Sequence, residues 1–118
     1  MLDDRRTSKR FAGRISILSR DEEGLNFGFL TDLSREGAYI ETQKLFPKGT
    51  HFEFVLSNGA SASPIRSQIV RTRDAFFEGG VSGVGISFEN LEGASKKLRD
   101  DLLLYLMNQH YQSQWSQG

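Results

Sequence analysis

The stretch LNFGFLTDLSREG, residues 25–37, carries the strongest structural signal in the chain. Apolar or β-branched side chains occupy every second position of its first part: Leu25, Phe27, Phe29, Thr31 and Leu33. This period of two is typical of a half-buried β-strand, because successive side chains of a strand point to opposite faces. The last four residues favour a tight turn, since serine bonds to nearby backbone groups and glycine tolerates conformations that other residues resist. The stretch predicts a strand that ends in a turn.

The same period of two recurs from about residue 13 to residue 89. Clear strand candidates are residues 51–56, 65–73 and 83–88, and segments rich in Gly, Pro, Asn, Asp and Ser separate the alternating runs. We count six strands at short spacing, which predicts an antiparallel barrel or sandwich.

The period changes after Phe88, and a helical spacing follows from about residue 94 to residue 111. The positions that share one helix face are Leu98, Leu102, Tyr105, Leu106 and Gln109. We therefore expect an all-β fold with one amphipathic C-terminal helix. The tail at 113–118 is expected to be frayed, and its single Trp115 has no assigned role.

Length and composition limit the possible classes. A chain of 118 residues has room for one domain with its own core. The absence of cysteine excludes disulfides and thiolate chemistry, and the N-terminus has no apolar segment of the kind found in signal peptides. We expect a soluble, cytoplasmic protein without a membrane span. The 15 basic and 15 acidic residues balance, which argues against a bulk nucleic-acid binder.

Positive charge is nevertheless concentrated in RRTSKRFAGR, residues 5–14. Taken alone, such a cluster is most often a solvated arm, and DLSREG, residues 32–37, is most often only a hairpin turn. If Phe27, Phe29 and Leu33 face the core, the alternation directs Asp32 and Ser34 outward at the end of their strand.

Together the two stretches have the order and spacing of a known pair of motifs. Arg6 and Arg10 form an Arg-x-x-x-Arg element, and Asp32, Ser34 and Gly37 form an Asp-x-Ser-x-x-Gly element. The chain resembles the PilZ domain, a bacterial receptor module for cyclic di-GMP, over roughly residues 4 to 110. The resemblance implies a six-stranded antiparallel β-barrel of the split-barrel type. It divides the chain into an N-terminal arm (1–12), a barrel with its helix (13–112) and a tail (113–118).

The resemblance also implies roles for the motif residues toward cyclic di-GMP, a dianion with two guanines. An arginine can bind guanine O6 and N7, pair with phosphate or stack on a base, which suits Arg6 and Arg10. Asp32 would accept from guanine N1–H and N2–H, Ser34 would donate to a phosphate, and Gly37 would leave room for the ring. Arg5 would help to admit a second nucleotide, and we expect two per protomer.

Other interpretations make different demands on the sequence. We expect that the protein is not an enzyme and has no cofactor or metal site. The two histidines, His51 and His110, lack the spacing of metal ligands. A barrel that binds single-stranded nucleic acid would need exposed aromatic residues beside basic ones. A third possibility is a PilZ-fold adaptor that ignores the nucleotide. For the receptor we expect a downstream protein partner in control of motility, biofilm or virulence.

Overall fold

The computed structural model describes residues 9–57, 63–75 and 79–116. The elements are β1 (Phe11–Asp21), β2 (Gly24–Leu33), β3 (Gly37–Thr42), β4 (His51–Leu56), β5 (Ile65–Arg73), β6 (Gly83–Phe88) and α1 (Gly93–Ser116). The strands close into a barrel in the order β1-β2-β3-β6-β5-β4, and all neighbours are antiparallel. The predicted six-stranded antiparallel barrel with one C-terminal helix is confirmed.

The interior is filled by the apolar side chains that alternate along each strand. In β4, Phe52, Phe54 and Leu56 all point inward, as their period predicts, and Phe54 is 1% exposed. Val84 and Ile86 of β6 pack into the same core. Burial of these large side chains stabilises the barrel, at roughly 25 cal/mol per Å² of apolar surface removed from water.

The side chains of β2 do not all point to the predicted faces of the strand. Phe27 is 69% exposed and Phe29 is only partly buried, whereas Leu30 is fully buried. The prediction that Phe27 and Phe29 face the core is therefore wrong, although Leu33 is buried as predicted. The physical reason is an irregularity at Thr31, where β2 has one more residue than β3 between two paired positions. Such a bulge exchanges the two faces of a strand at that point.

Helix α1 packs against the barrel through Leu102 and Leu106, which are 8% and 1% exposed. An added Cβ at Gly13 of β1 would overlap a methyl group of Leu106, so the glycine allows the helix to approach the strand closely. Tyr105 is 52% exposed, which makes its assignment to the apolar face wrong.

The boundaries also differ slightly from those expected. Strand β1 begins at Phe11, so the last two residues of the predicted 1–12 arm belong to the barrel. Helix α1 continues to Ser116, five residues beyond its predicted end at 111 and into the predicted tail. Within the described residues, no helix is both long enough and apolar enough to cross a membrane.

Candidate functional site

The structure brings Arg10 and Asp32 together on the outside of the barrel. Arg10 directly precedes β1, and Asp32 lies near the end of β2, where it pairs with Ala12 of β1. The Arg10 Nε donates a hydrogen bond to Asp32 Oδ1 at 2.7 Å. The two predicted motifs are therefore in contact through one residue of each, and Asp32 faces outward as expected.

This ion pair is accessible to solvent. The Arg10 and Asp32 side chains are 50% and 35% exposed. An exposed pair of this kind stabilises a fold by about 0–1 kcal/mol, because water competes for both charges. Both side chains are consequently available to exchange their mutual contact for contacts with a ligand.

Ser34 does not face outward as predicted, because it is buried and 4% exposed. Strand β2 ends at Leu33, so the alternation stops and Ser34 is the first residue of the turn. The Ser34 backbone N–H donates to the Gly37 carbonyl at 2.9 Å, and the Gly37 N–H donates to Ser34 Oγ at 3.3 Å. In the described structure the hydroxyl holds the turn closed.

Gly37 is also buried, and its lack of a side chain has a structural reason. A Cβ at this position would overlap the backbone carbonyl oxygen of Ile86 on β6. The close approach of β3 to β6 therefore requires glycine even before any ligand is considered.

Helix α1 contacts this turn directly, a feature that the sequence analysis missed. Arg99 Nη1 donates to the carbonyl of Arg35 at 2.9 Å, and its Nη2 lies 2.8 Å from Asp100 Oδ1. The Arg99 side chain is only 11% exposed, although charged residues surround it in the sequence. No local pattern could reveal this contact, because the two residues are 64 positions apart.

The remaining predicted site residues, Arg5 and Arg6, lie outside the described residues, as does the first part of the basic stretch. In the described part of the chain, no group of three or more His, Cys, Asp or Glu side chains could hold a metal ion. His51 lies 3.3 Å from Glu89, and His110 stacks edge-on against Phe11 at a ring distance of 5.9 Å.

A second polar cluster lies at the β1–β2 turn and contains no motif residue. A hydrogen bond from Lys44 lowers the pKa of Asp21, and hydrogen bonds to Asp21 and then to Glu23 raise the pKa of Lys44. Next to it, a groove of about 710 Å³ runs along the outer side of β2 and β3 and is lined in part by Phe27 and Val81. Neither Arg10 nor Asp32 lines this groove.

The comparison with known families agrees with this architecture. The model of the PilZ domain matches residues 4–106. The chain belongs to the PilZ domain family. No curated protein matches the sequence.

Solved structures show the same fold at low sequence identity. The PilZ domain of YcgR from Escherichia coli, described as a complex with c-di-GMP, superposes with a TM-score of 0.72 at 12% identity. That match covers 93% of this chain and 97% of the YcgR domain.

Two longer proteins are similar as well. The MrkH–c-di-GMP complex from K. pneumonia gives a TM-score of 0.72 at 13% identity, with 95% of this chain and 57% of MrkH covered. The inhibitor of motility MotI/DgrA from Bacillus subtilis gives a TM-score of 0.70 at 12% identity, and the match covers 93% of this chain and 53% of MotI. This PilZ domain thus spans little more than half of those two chains.

Replacement of Gly37 by alanine should lower the free energy of unfolding by about 1–3 kcal/mol, because β3 or β6 must move to admit the methyl group. Chemical denaturation measures this change, and Arg35→Ala, an exposed side chain in the same turn, is the matched control. A Gly37→Ala protein as stable as wild type would refute the structural reason given for this glycine.

Arg10→Ala and Asp32→Ala should each change the free energy of unfolding by less than about 1 kcal/mol, as expected for an exposed ion pair. Leu106→Ala, which removes a buried core side chain, should lower the free energy of unfolding by about 2–5 kcal/mol in the same denaturation experiment. This variant serves as the reference for a large loss of stability. A loss of stability at Arg10 or Asp32 as large as that at Leu106 would mean that the pair is structural.

Proposed function

We propose that this PilZ domain is a receptor for cyclic di-GMP, and that Arg10 and Asp32 form the centre of its binding site. The observation that carries the proposal is the exposed contact between these two side chains, which come from the two motifs of the family. Two of the similar structures are described as c-di-GMP complexes, which supports the choice of ligand.

The chemistry of the pair suits a guanine nucleotide. Asp32 is an acceptor with two oxygens and matches the adjacent N1–H and N2–H donors of guanine. Arg10 offers a planar set of donors that can bind guanine O6 and N7 or a phosphate oxygen. When the nucleotide enters, the Arg10–Asp32 bond opens and each side chain takes a ligand partner in its place.

The other motif residues complete the site in this proposal. Arg5 and Arg6 close over the nucleotide from the N-terminal side and add positive charge near the phosphates. Ser34 keeps the turn in shape, and its hydroxyl, whose bond to the Gly37 carbonyl is long at 3.4 Å, can turn to donate to a phosphate. Gly37 keeps β3 close to β6, so that the turn lies against the barrel.

Energetics require that several contacts act together. Micromolar affinity corresponds to about 8 kcal/mol, whereas one bidentate arginine–guanine contact contributes about 1–3 kcal/mol. Ordering the residues of an arm costs about 1–2 kcal/mol each in backbone entropy. Loss of the paired arginines should therefore remove most of the measurable binding.

Titration calorimetry with cyclic di-GMP tests the proposal. Wild type should bind, and the double variant Arg6→Ala with Arg10→Ala should lose at least about 30-fold in affinity, as expected when two contacts of 1–3 kcal/mol each disappear. Arg20→Ala, an exposed arginine on β1 outside both motifs, is the matched control. Equal heats from wild type and the double variant would contradict the proposal.

The same titration gives the stoichiometry. We propose two nucleotides per protomer, with Arg5 stacked on a guanine of the second one, and Arg5→Ala should reduce the ratio from two to one. A ratio of one for wild type would reject this part of the proposal and leave the receptor function intact.

One observation favours a second candidate function. Phe27 is highly exposed, and the Arg14 guanidinium lies 3.8 Å from the centre of the Phe29 ring, so aromatic and basic groups do meet on the outer surface. Single-stranded nucleic acid binds to surfaces of this type. Glu41, which pairs with Arg14 at 3.1 Å, reduces the positive charge there. Salt-sensitive binding of a long oligonucleotide, without a response to cyclic di-GMP, would support this alternative.

We further propose that nucleotide binding is transmitted to a protein partner through α1. The supporting contact is the hydrogen bond from Arg99 to the Arg35 carbonyl, which links the helix to the motif turn. A change in the turn alters the position of that carbonyl and hence the helix that holds it. A partner that binds equally well with and without nucleotide would instead favour the nucleotide-independent adaptor.

Hydrogen exchange tests the link. Cyclic di-GMP should slow amide exchange in the first turns of α1 in wild type, and Arg99→Ala should confine the protection to the turn and strands. Lys97→Ala, which removes an exposed pair with Asp101 on the same helix, is the control. The same protection of α1 in wild type and Arg99→Ala would exclude this route.

A further inference from the structure

Helix α1 is apolar on two opposite sides. Leu102 and Leu106 pack into the core, whereas Leu104 and Tyr111 are 56% and 45% exposed. At 3.6 residues per turn, Leu104 and Tyr111 share one face with Asn108, and that face lies almost opposite to the one that contacts the barrel. A helix with one side in water normally carries polar residues on that side. We call Leu104, Asn108 and Tyr111 the outer stripe of α1.

The second half of the helix also lacks charge. No Asp, Glu, Lys or Arg occurs in residues 102–118, although 25% of the chain is charged. The cores of protein–protein interfaces are depleted of charged residues and enriched in aromatic residues and methionine. The residues of those types in this segment are Tyr105, Met107, Tyr111 and Trp115. The composition of the segment is therefore that of an interface.

The outer stripe is complementary to a second copy of itself that runs in the opposite direction. A two-fold axis midway between Met107 and Asn108 sets Leu104 of each copy against Tyr111 of the other. Asn108 is exposed and lies beside this axis, where two side-chain amides can each donate to and accept from the other. A single asparagine between two helices is a known means of fixing their register.

The charges at the ends of α1 favour the same antiparallel arrangement. The last turn contains no basic residue that would balance the partial negative charge of a helix C-terminus. In the antiparallel pair, Lys96 of each copy lies beside the last turn of the other and supplies that positive charge. A parallel pair would place Lys96 and Lys97 against the same lysines of the other copy, where like charges repel.

We propose that two copies of this chain associate through the outer stripe as an antiparallel pair of α1 helices. The barrel packs on the opposite face of each helix, so it does not obstruct this contact. The pairing involves no motif residue, and the inference is independent of the proposed binding of cyclic di-GMP.

Sedimentation equilibrium of the 118-residue chain measures the association. Wild type should show a monomer–dimer equilibrium, and Leu104→Glu should raise the dissociation constant at least about 30-fold, as expected for the loss of a central interface residue. Val81→Glu is the matched control, because Val81 is 57% exposed on another surface, and this variant should dimerise like wild type. Thermal unfolding should show that both variants remain folded, since both side chains are exposed.

Two results would overturn the proposal. A wild-type chain that stays monomeric up to about 1 mM would show that the outer stripe does not bind a second copy and would assign it to a different protein. Loss of the dimer in Val81→Glu but not in Leu104→Glu would place the contact in the groove along β2 and β3.

Disulfide cross-linking tests the direction of the helices, since the chain has no cysteine of its own. Asn108→Cys should form a covalent dimer on oxidation, because the two sulfur atoms meet at the axis. Leu104→Cys should not, because its two copies lie about 10 Å apart along an antiparallel pair, too far for a disulfide. The double variant Leu104→Cys with Tyr111→Cys should cross-link again. Equal cross-linking of Leu104→Cys and Asn108→Cys would indicate parallel helices and overturn the arrangement.

Discussion

The extra residue in β2 is the constraint on which the candidate site depends. Leu30 points into the barrel, and a regular strand would direct Asp32 inward two residues later. The irregularity at Thr31 exchanges the faces, so that Leu33 enters the core and Asp32 points out to meet Arg10. A buried carboxylate without a partner would cost several kcal/mol, so the bulge is also what makes an acid tolerable at this position.

The turn that follows is held from three sides. Ser34 and Gly37 bond to each other, Gly37 packs against the β6 backbone, and Arg99 of α1 holds the Arg35 carbonyl. Ser34 and Gly37, which the motif predicts to be ligand-binding residues, thus also stabilise the turn before any ligand binds. This combination is consistent with a site that is preorganised on its strand side and completed from the N-terminal side.

The outer face of the sheet has two regions of different character. Near the end of β2, the exposed pair of Arg10 and Asp32 lies beside the motif turn and suits a polar ligand. Farther along β2, Leu25 and Phe27 project into solvent with Val81, and acidic and basic side chains surround them. The proposed nucleotide site lies in the first region, where polar groups are available for recognition.

The number of strands, the closing helix and the two motifs could be predicted from the sequence, because they depend on periods and spacings that are local in the chain. The same alternation correctly predicted which side chains of β4 and β6 are buried. The burial of Ser34 and the exposure of Phe27 became apparent only in the folded barrel. The outward position of Asp32 was predicted correctly, but it results from the bulge and not from a regular alternation. A bulge is defined by the pairing between strands, and the apparent alternation of apolar residues from Leu25 to Leu33 concealed the one at Thr31.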